Sequence, residues 1–412
     1  MVMKIHNIQD IGSSNTTVPI VFVSGAGGQD GSCMIDYLLR ETNFRVIGGI
    51  RGFSDKNQAN ICHLCNEPRL QFVNFDLTDT CSIYDVMDFI KPDYFINFAA
   101  QTITTLLDHQ TWETNTTAIV DCLEAIRRYK PTCRFFNAGS SEEFGDVFSS
   151  PQDESTIPKP RNLYGLSKVS SRNLIKIYRE FYGLYAVQGW LFNHEGTRRG
   201  EEFVTRKITK GVSRILQSVV DGEFFEPIEL GNIDARRDWS DAEDVVDAIW
   251  RMLNQERFNE ALNKEHFDEW YELYNEFENK KQMTEWESKR IKDYVISSGE
   301  THTIREFIEA SFSSAGLKGH WEGSGLDEKY VEDSLGWPDD IFVKINSRFY
   351  RPTEPEILCG NSWAIRRDLN WNPKTNFKQL VKKMVKNDCR NVYYPNTNTV
   401  VIEETGLALQ TK

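Results

Sequence analysis

The stretch VPIVFVSGAGGQDGSCMIDYLLRE, residues 18–41, constrains the fold of this chain most. It opens with a short apolar, β-branched run from Val18 to Val23. It then breaks into glycines and becomes helical in period at Met34, Ile35, Leu38 and Leu39. That order reads as strand, tight turn and helix. Gly25, Gly28 and Gly31 stand in a G-x-x-G-x-x-G spacing. Glycines placed this way let the backbone approach a pyrophosphate at the helix N-terminus, where N–H groups and the helix dipole favour negative charge. A glycine triplet alone says little. In a strand–turn–helix setting near the N-terminus it predicts a dinucleotide site.

The same rhythm continues. FRVIGGI reads as the next strand, and Arg51 follows it directly. An NAD-selective site usually places an acidic residue here for the ribose hydroxyls, whereas an arginine suits a 2′-phosphate, so the cofactor expected is NADP. LQFVNFDLTD, leading to Asp76 and Leu77, and DYFINFAAQT are further strand-like pieces, with helical stretches between them. The alternation predicts an α/β fold of Rossmann type, a doubly wound parallel sheet.

CRFFNAGSSEEFG reads as another parallel strand that ends at two serines. In isolation a run such as SSEE is most often a solvated loop. Ligands of open α/β sheets bind beyond the carboxyl ends of the strands, which puts Ser140, Ser141 and Glu142 where chemistry is done. Glu143 reads as a spacer or surface residue. YGLSK follows, with Tyr164 and Lys168 one helical turn apart. A lysine ammonium beside a phenol lowers the phenol's pKa, so the phenolate can act as a base toward a sugar hydroxyl. After a Rossmann half and a strand ending in serine, this pair marks a short-chain dehydrogenase/reductase type of site.

The 412 residues predict two domains or one large α/β domain with insertions. The net charge of −13 argues against a nucleic-acid partner. Eight cysteines are scattered, and the one close pair, Cys62 and Cys65, has no second pair at metal-ligand spacing, so no metal is expected. That usage fits a reducing cytoplasm. No run resembles a signal peptide or a membrane span, so no membrane partner is expected.

Several stretches resemble the GDP-mannose 4,6-dehydratase family of extended short-chain dehydrogenases/reductases. They are GAGGQDGS, FDLTD, NAGSSEEFG, YGLSK, LFNHEGTRRGEEFVTRKI, LGNIDARRDW and RFYRPTEPEILCG. The segment 193–208 is the most specific of them. The resemblance implies bound NADP, a smaller C-terminal substrate-binding domain, a GDP-sugar substrate and a homodimer or homotetramer. On this reading 1–18 is a flexible extension. The NADP-binding domain is 19–193, continued by 236–254 and 293–298. The substrate-binding domain is 194–235 with 299–394, 255–292 is a charged helical insertion, and 395–412 is a tail.

The resemblance places the catalytic hydroxyl–Ser–Glu on Ser140, Ser141 and Glu142, and the Tyr and Lys on Tyr164 and Lys168. Cofactor contacts fall on Gly25, Ala26, Gly27, Gly28, Gln29, Asp30 and Gly31 of the first turn. They also fall on Arg51, Gly52, Phe53 and Ser54, on Asp76 and Leu77, and on Phe98, Ala99, Ala100, Gln101 and Thr102. Trp112, Lys168, His194 and Arg199 complete that set. Ser141, Glu142, Asn193, Val204, Lys207, Arg237, Arg351 and Glu354 match positions that hold the GDP-sugar. Arginines suit its diphosphate through their forked donors. The chain departs from the family pattern in five places: Ser140 replaces a threonine and keeps the hydroxyl, Gly52 replaces the second arginine of the 2′-phosphate clamp, Phe144 replaces a tyrosine, TITTLLDHQ differs from the family's segment, and the insertion 255–292 is extra.

The implied reaction oxidises C4 of GDP-mannose, eliminates water across C5 and C6, and returns hydride to C6. Related readings are a dehydratase of another GDP-sugar such as GDP-manno-heptose, a nucleotide-sugar epimerase, and a non-catalytic nucleotide-sugar-binding protein. An epimerase needs no carboxylate after the serine pair, so Glu142 favours the dehydratase.

Overall fold

The computed structural model describes residues 5–11, 18–52, 59–102, 109–147, 149–255, 291–333, 341–350, 357–390 and 392. The chain divides into two compact units. The first is Met1–Phe192 with Ala242–Ile296 and Gly360–Asn372, and the second is Asn193–Asp241 with Ser297–Cys359 and Pro373–Lys412.

The first unit is built on an eight-stranded sheet. Its strands include β1 (Ile5–His6), β2 (Ile20–Ser24), β3 (Arg45–Ile50), β4 (Leu70–Asn74), β5 (Tyr94–Asn97), β6 (Arg134–Ala138) and β7 (Ala186–Leu191). The order across the sheet is β1-β4-β3-β2-β5-β6-β7, closed by Val295–Ile296 beside β7. Every pairing is parallel. The order reverses direction between β2 and β5, the switch point where doubly wound sheets open a ligand crevice.

All five residues of β2 are buried, as expected of a strand covered on both faces. Val21 and Val23 join a core with Met34, Ile35 and Leu38 of helix α1 (Gln29–Glu41). Phe22 faces the other way, into a core with Leu123 and Ile126 of helix α2 (Ala118–Tyr129) and Ile175 of helix α3 (Leu163–Tyr182). The period of two along the strand thus feeds two separate helix layers.

One sequence expectation is corrected here. Part of the N-terminal stretch read as a flexible extension belongs to the sheet, because Ile5 and His6 pair with Phe72 and Val73 of β4. Ile11 is buried in the α2 and α3 layer. The backbone hydrogen bonds offered by the edge of β4 outweigh the polar composition of this stretch.

The second unit packs helices Val204–Asp221, Ile304–Ser314 and Phe377–Cys389 around Val212, Ile215, Phe307, Phe312, Leu380 and Met384. A four-stranded sheet, Gly319–Glu322, Lys329–Glu332, Ile341–Ile345 and Ile228–Leu230, contributes Tyr330 and Val343 to that core. Arg236–Asp241 pairs with Thr301–Thr303, Ile357–Leu358 and Asn193–Glu195.

Candidate active site

The glycine turn has the geometry the sequence predicts. Gly25 has φ +67°, a conformation other residues rarely adopt, and a Cβ there would stand 2.9 Å from the Ala99 nitrogen. A Cβ on Gly31 would run into the Gly25 carbonyl oxygen. Gly28 is the N-cap of α1 and no side chain caps the helix, so its first turn is presented by bare backbone. This is a cradle for an anionic group at a helix N-terminus. The residues present fit a dinucleotide.

Around this turn the cofactor candidates fall at the strand ends. Ala26 is fixed by its N–H donating to the Gly49 carbonyl at 3.2 Å. The Gly27 carbonyl accepts from Asn60 Nδ2 at 3.0 Å, and Gln29 Nε2 donates to Asp30 at 3.1 Å. Arg51 is exposed immediately after β3, and Gly52 has φ +74° with open space where a side chain would stand. Phe53 and Ser54 lie outside the described residues. Asp76 accepts from the Thr78 amide and hydroxyl at 2.9 and 2.8 Å, and Leu77 is buried.

Phe98, Ala99 and Ala100 follow the end of β5 and are half-buried. Gln101 comes next, and its backbone is clamped at both ends. Asn115 Oδ1 accepts from the Gln101 N–H at 2.9 Å, and Asn115 Nδ2 donates to the Gln101 carbonyl at 2.9 Å. Asn115 lies buried in a π-helical turn, Glu113–Thr117, and also donates to Ser167 at 3.2 Å. It escaped the sequence reading, since nothing local distinguishes it. Thr102 is exposed, and Trp112 is half-buried just before that turn. Of TITTLLDHQ, residues 103–108 lie outside the described residues.

The catalytic candidates converge where β6 meets α3. Beyond Ala138 the chain enters a 3-10 turn, Ser141–Glu143, capped by Ser140. Ser140 Oγ accepts from the Glu142 N–H at 3.2 Å. Ser141 is buried and Glu142 half-buried. Helix α3 starts next to this turn. Asn162 caps it by accepting from the Gly165 N–H at 2.7 Å, and the same side chain donates to Glu142 Oε2 at 2.9 Å. A Cβ on Gly165 would strike the Glu142 carbonyl oxygen, so the turn lies directly on the first turn of α3. Tyr164 is in that first turn. Lys168 follows one turn later with Nζ 5.7 Å from the Tyr164 ring centre. Lys168 is buried and donates to the Ala138 carbonyl at 2.7 Å. Burial pushes its ammonium down to about 8, against the pull of the Glu143 carboxylate.

Glu143 is neither spacer nor surface. It is fully buried and paired with Arg172 of α3 through Nε–Oε2 at 2.6 Å and Nη2–Oε1 at 3.0 Å. Its Oε1 also accepts from the Ser140 N–H at 3.0 Å, completing a capping box, and from Gln188 Nε2 at 3.2 Å. Removing one partner of such a pair leaves a bare buried charge, which costs about 3–5 kcal/mol. The spacing Ser140-x-x-Glu143 is a capping-box signature, which points from sequence to the contact with the Ser140 amide but not to the pair with Arg172.

The second unit holds the remaining described candidates. His194 is buried on Asn193–Glu195, and its neighbour Glu195 pairs with Arg199 at 3.1 Å. Asn193 lies opposite Trp239 in the pairing with Arg236–Asp241. Arg199 stacks over Phe203 at 3.6 Å. Val204 and Lys207 sit in the first turn of their helix; Lys207 donates to the Glu229 carbonyl at 2.6 Å, and burial lowers its pKa. Arg237 is half-buried and donates to the Arg236 carbonyl at 2.7 Å. Arg351 and Glu354 lie outside the described residues.

The family model described as GDP-mannose 4,6 dehydratase matches residues 22–290 and 278–384. The chain belongs to the GDP-mannose 4,6-dehydratase family. A relative from Drosophila melanogaster, named GDP-mannose 4,6 dehydratase, is 36% identical over 380 residues, covering 90% of this chain and 86% of that protein. Two solved structures share the fold of this chain. One is the dTDP-glucose 4,6-dehydratase DesIV from Streptomyces venezuelae, solved with NAD bound, at TM-score 0.68 and 19% identity, covering 90% of this chain and 97% of its own. The other is RMD from Pseudomonas aeruginosa complexed with NADPH, at TM-score 0.63 and 19% identity, covering 90% of this chain and 99% of its own.

Proposed function

We propose that this chain is a GDP-mannose 4,6-dehydratase that keeps a nicotinamide cofactor bound through turnover. The observation that carries the reading is the Glu142 carboxylate, held by Asn162 two residues before Tyr164. It offers a second proton-transfer group on the turn packed against the start of α3, where Tyr164 stands; elimination requires such a group and epimerisation does not. Family membership supports the same reading.

Held at the Gly25–Gly31 turn, a bound nicotinamide would supply a hydride acceptor for C4 and a hydride donor for C6. The chain's own groups do the rest. Tyr164 takes the O4 proton, with the Lys168 ammonium favouring its phenolate form. Ser140 hydrogen-bonds O4. Glu142 takes the C5 proton, made acidic by the adjacent ketone, and later returns a proton to C5. The C6 hydroxide leaves as water, with help from Ser141 or from the acid form of Glu142, and Glu142 regains a proton from solvent before the return to C5. Asn193, Val204, Lys207 and Arg237 belong to the segments assigned to the GDP-sugar, with Arg351 and Glu354 as further candidates by sequence. Asp76, Leu77, His194 and Arg199 are assigned to the cofactor.

For the cofactor we favour NADP, because Arg51 directly follows β3 and is exposed. For the assembly we favour a homodimer or homotetramer. Leu166, Ile177 and Phe181 are exposed large hydrophobics on one face of α3, the kind of stripe that a second copy covers. All eight cysteines are free, which suits a cytoplasmic location. No described helix is long and apolar enough to cross a membrane. The test is incubation with GDP-mannose in deuterated water. A product lighter by one water, carrying a 4-keto group and deuterium at C5, is expected; recovery of a C4 epimer instead would sink the dehydratase reading.

A further inference from the structure

A file of buried polar side chains crosses the first unit behind the candidate active site. Ser24 Oγ, at the end of β2, donates to Asn97 Oδ1 at the end of β5. Asn97 Nδ2 donates to Asn137 Oδ1 on β6 at 2.8 Å, and Asn137 Nδ2 donates to Gln188 Oε1 on β7 at 2.7 Å. Gln188 Nε2 then splits. It donates to the Lys168 carbonyl at 2.8 Å and to Glu143 Oε1 at 3.2 Å. All four of these polar side chains and Glu143 are almost fully buried.

The file ends in alternating charge. Glu143 is paired with Arg172, Arg172 stands 3.4 Å from Asp293, and Asp293 is paired with Arg179 at 2.9 Å. Burial works to raise the Asp293 carboxyl, but the Arg179 and Arg172 guanidiniums outweigh it and hold it low. Arg172 is held in place on its other side: Nη1 donates to the Gln188 carbonyl at 2.7 Å, and the guanidinium lies 3.4 Å over the Trp190 ring centre. A Cβ on Gly139 would come within 2.6 Å of Glu143 Oε1 and 2.9 Å of Arg172 Nη2. The backbone entering the serine turn is thus pressed onto the pair.

We propose that Glu143 is a positioning residue of this active site, through two contacts at once. By accepting from the Ser140 amide it fixes the turn that carries Ser140, Ser141 and Glu142. By its ion pair with Arg172 and its bond to Gln188 it locks that turn to the stretch of α3 that carries Tyr164 and Lys168. The arrangement also keeps the Glu143 carboxylate near the buried Lys168 ammonium. The charged group that acts on that lysine is Glu143 from the turn, and Arg172, one turn further along α3, is paired with Glu143. Tyr164 is the titratable neighbour on its own helix.

The lysine arm of the test needs no substrate. The protein as purified is labelled at lysine Cε with carbon-13, and the Lys168 signal is assigned by its loss in Lys168→Met. In Glu143→Gln the Lys168 titration midpoint is expected to fall by about one pH unit relative to wild type. The rate arm rests on the dehydratase reading: kcat with GDP-mannose is expected to drop roughly 10–100-fold with KM little changed, as for a misplaced reacting group. Two further variants guard against misfolding. Glu143→Leu/Arg172→Met removes both charges while filling the space, a change that folds readily in comparable sites, and it should lose kcat to the same extent. Glu143→Asp keeps the charge but shortens the reach to the Ser140 amide, so it should lose kcat while Lys168 titrates as in wild type. A Lys168 midpoint unmoved in Glu143→Gln overturns the proposal, and so does wild-type kcat in Glu143→Asp. If wild type itself does not act on GDP-mannose, the dehydratase reading fails while the lysine titration still decides the charge contact.

Discussion

Lys168 Nζ donates to the carbonyl oxygen of Ala138 at 2.7 Å, tying the buried ammonium to the last residue of the strand that leads into the serine turn. Burial holds the folded-state pKa of this group at about 8, below the ordinary lysine value of 10.5. Between those two values the unfolded chain binds more protons than the folded one, so stability rises with pH across that window. Below pH 8 the penalty is full. Lys168→Met should therefore abolish turnover yet make the nucleotide-stripped protein more stable at pH 7. The relief is on the order of 3 kcal/mol, reduced by about 1 kcal/mol for the lost hydrogen bond. Denaturant melts at pH 7 and pH 10 check this. The stability difference between the two proteins should shrink at the higher pH.

The side chain of Gln255 reaches across to Lys292. Its Nε2 donates to the Lys292 carbonyl at 3.0 Å, and its Oε1 accepts from the Lys292 N–H at 3.1 Å. The two ends of the charged insertion are thus neighbours, which is the condition for removing it cleanly. Replacing residues 256–290, which lie outside the described residues, with a short Gly/Ser bridge should leave turnover and particle size unchanged. Light scattering and a GDP-mannose assay read the result. A smaller particle would assign the insertion to subunit contact.

The contrast between legible and hidden features here follows the distance over which each is determined. The Gly25–Gly31 turn and the Tyr164/Lys168 pair are set by neighbours within a turn or two, and their spacing, read with the strand and helix around each, predicts them. Glu143 is different. Whether its carboxylate faces water depends on Arg172, 29 residues on, and on Gln188, 45 residues on. No local pattern carries that information, although the capping-box spacing with Ser140 carries part of it. Asn115 is hidden for the same reason, since its partners Gln101 and Ser167 lie 14 and 52 residues away. Ile5 and His6 join the sheet through a strand that begins at Leu70.

Arg51 stands alone where the family pattern has two arginines, because Gly52 offers no side chain. If it carries the 2′-phosphate contact, the protein should purify with NADP(H), identified by acid release and chromatography. Arg51→Ala should lower NADP affinity by about 1.5–3 kcal/mol, the range of a charge-assisted hydrogen bond, and leave NAD affinity almost unchanged. Recovery of NAD(H) alone from the wild-type protein would remove Arg51 from the site and make Gly52 the residue that explains the preference.

Glu142 is held by Asn162 at 2.9 Å and has its backbone pressed against Gly165. Glu142→Gln keeps the shape and can still meet Asn162, but it cannot take a proton from C5. Tyr164 and Lys168 are untouched, so the first oxidation should still occur. Overall dehydration should fall by roughly 10²–10⁴-fold, the usual range for loss of a general acid or base. Deuterium from solvent should no longer enter C5, while absorbance at 340 nm rises when GDP-mannose is added and decays slowly. Tyr164→Phe should show no such rise, because hydride cannot leave C4 while O4 keeps its proton. The two variants therefore separate the two proton transfers. Wild-type dehydration by Glu142→Gln would mean that another group takes the C5 proton and that Glu142 serves only to anchor Asn162.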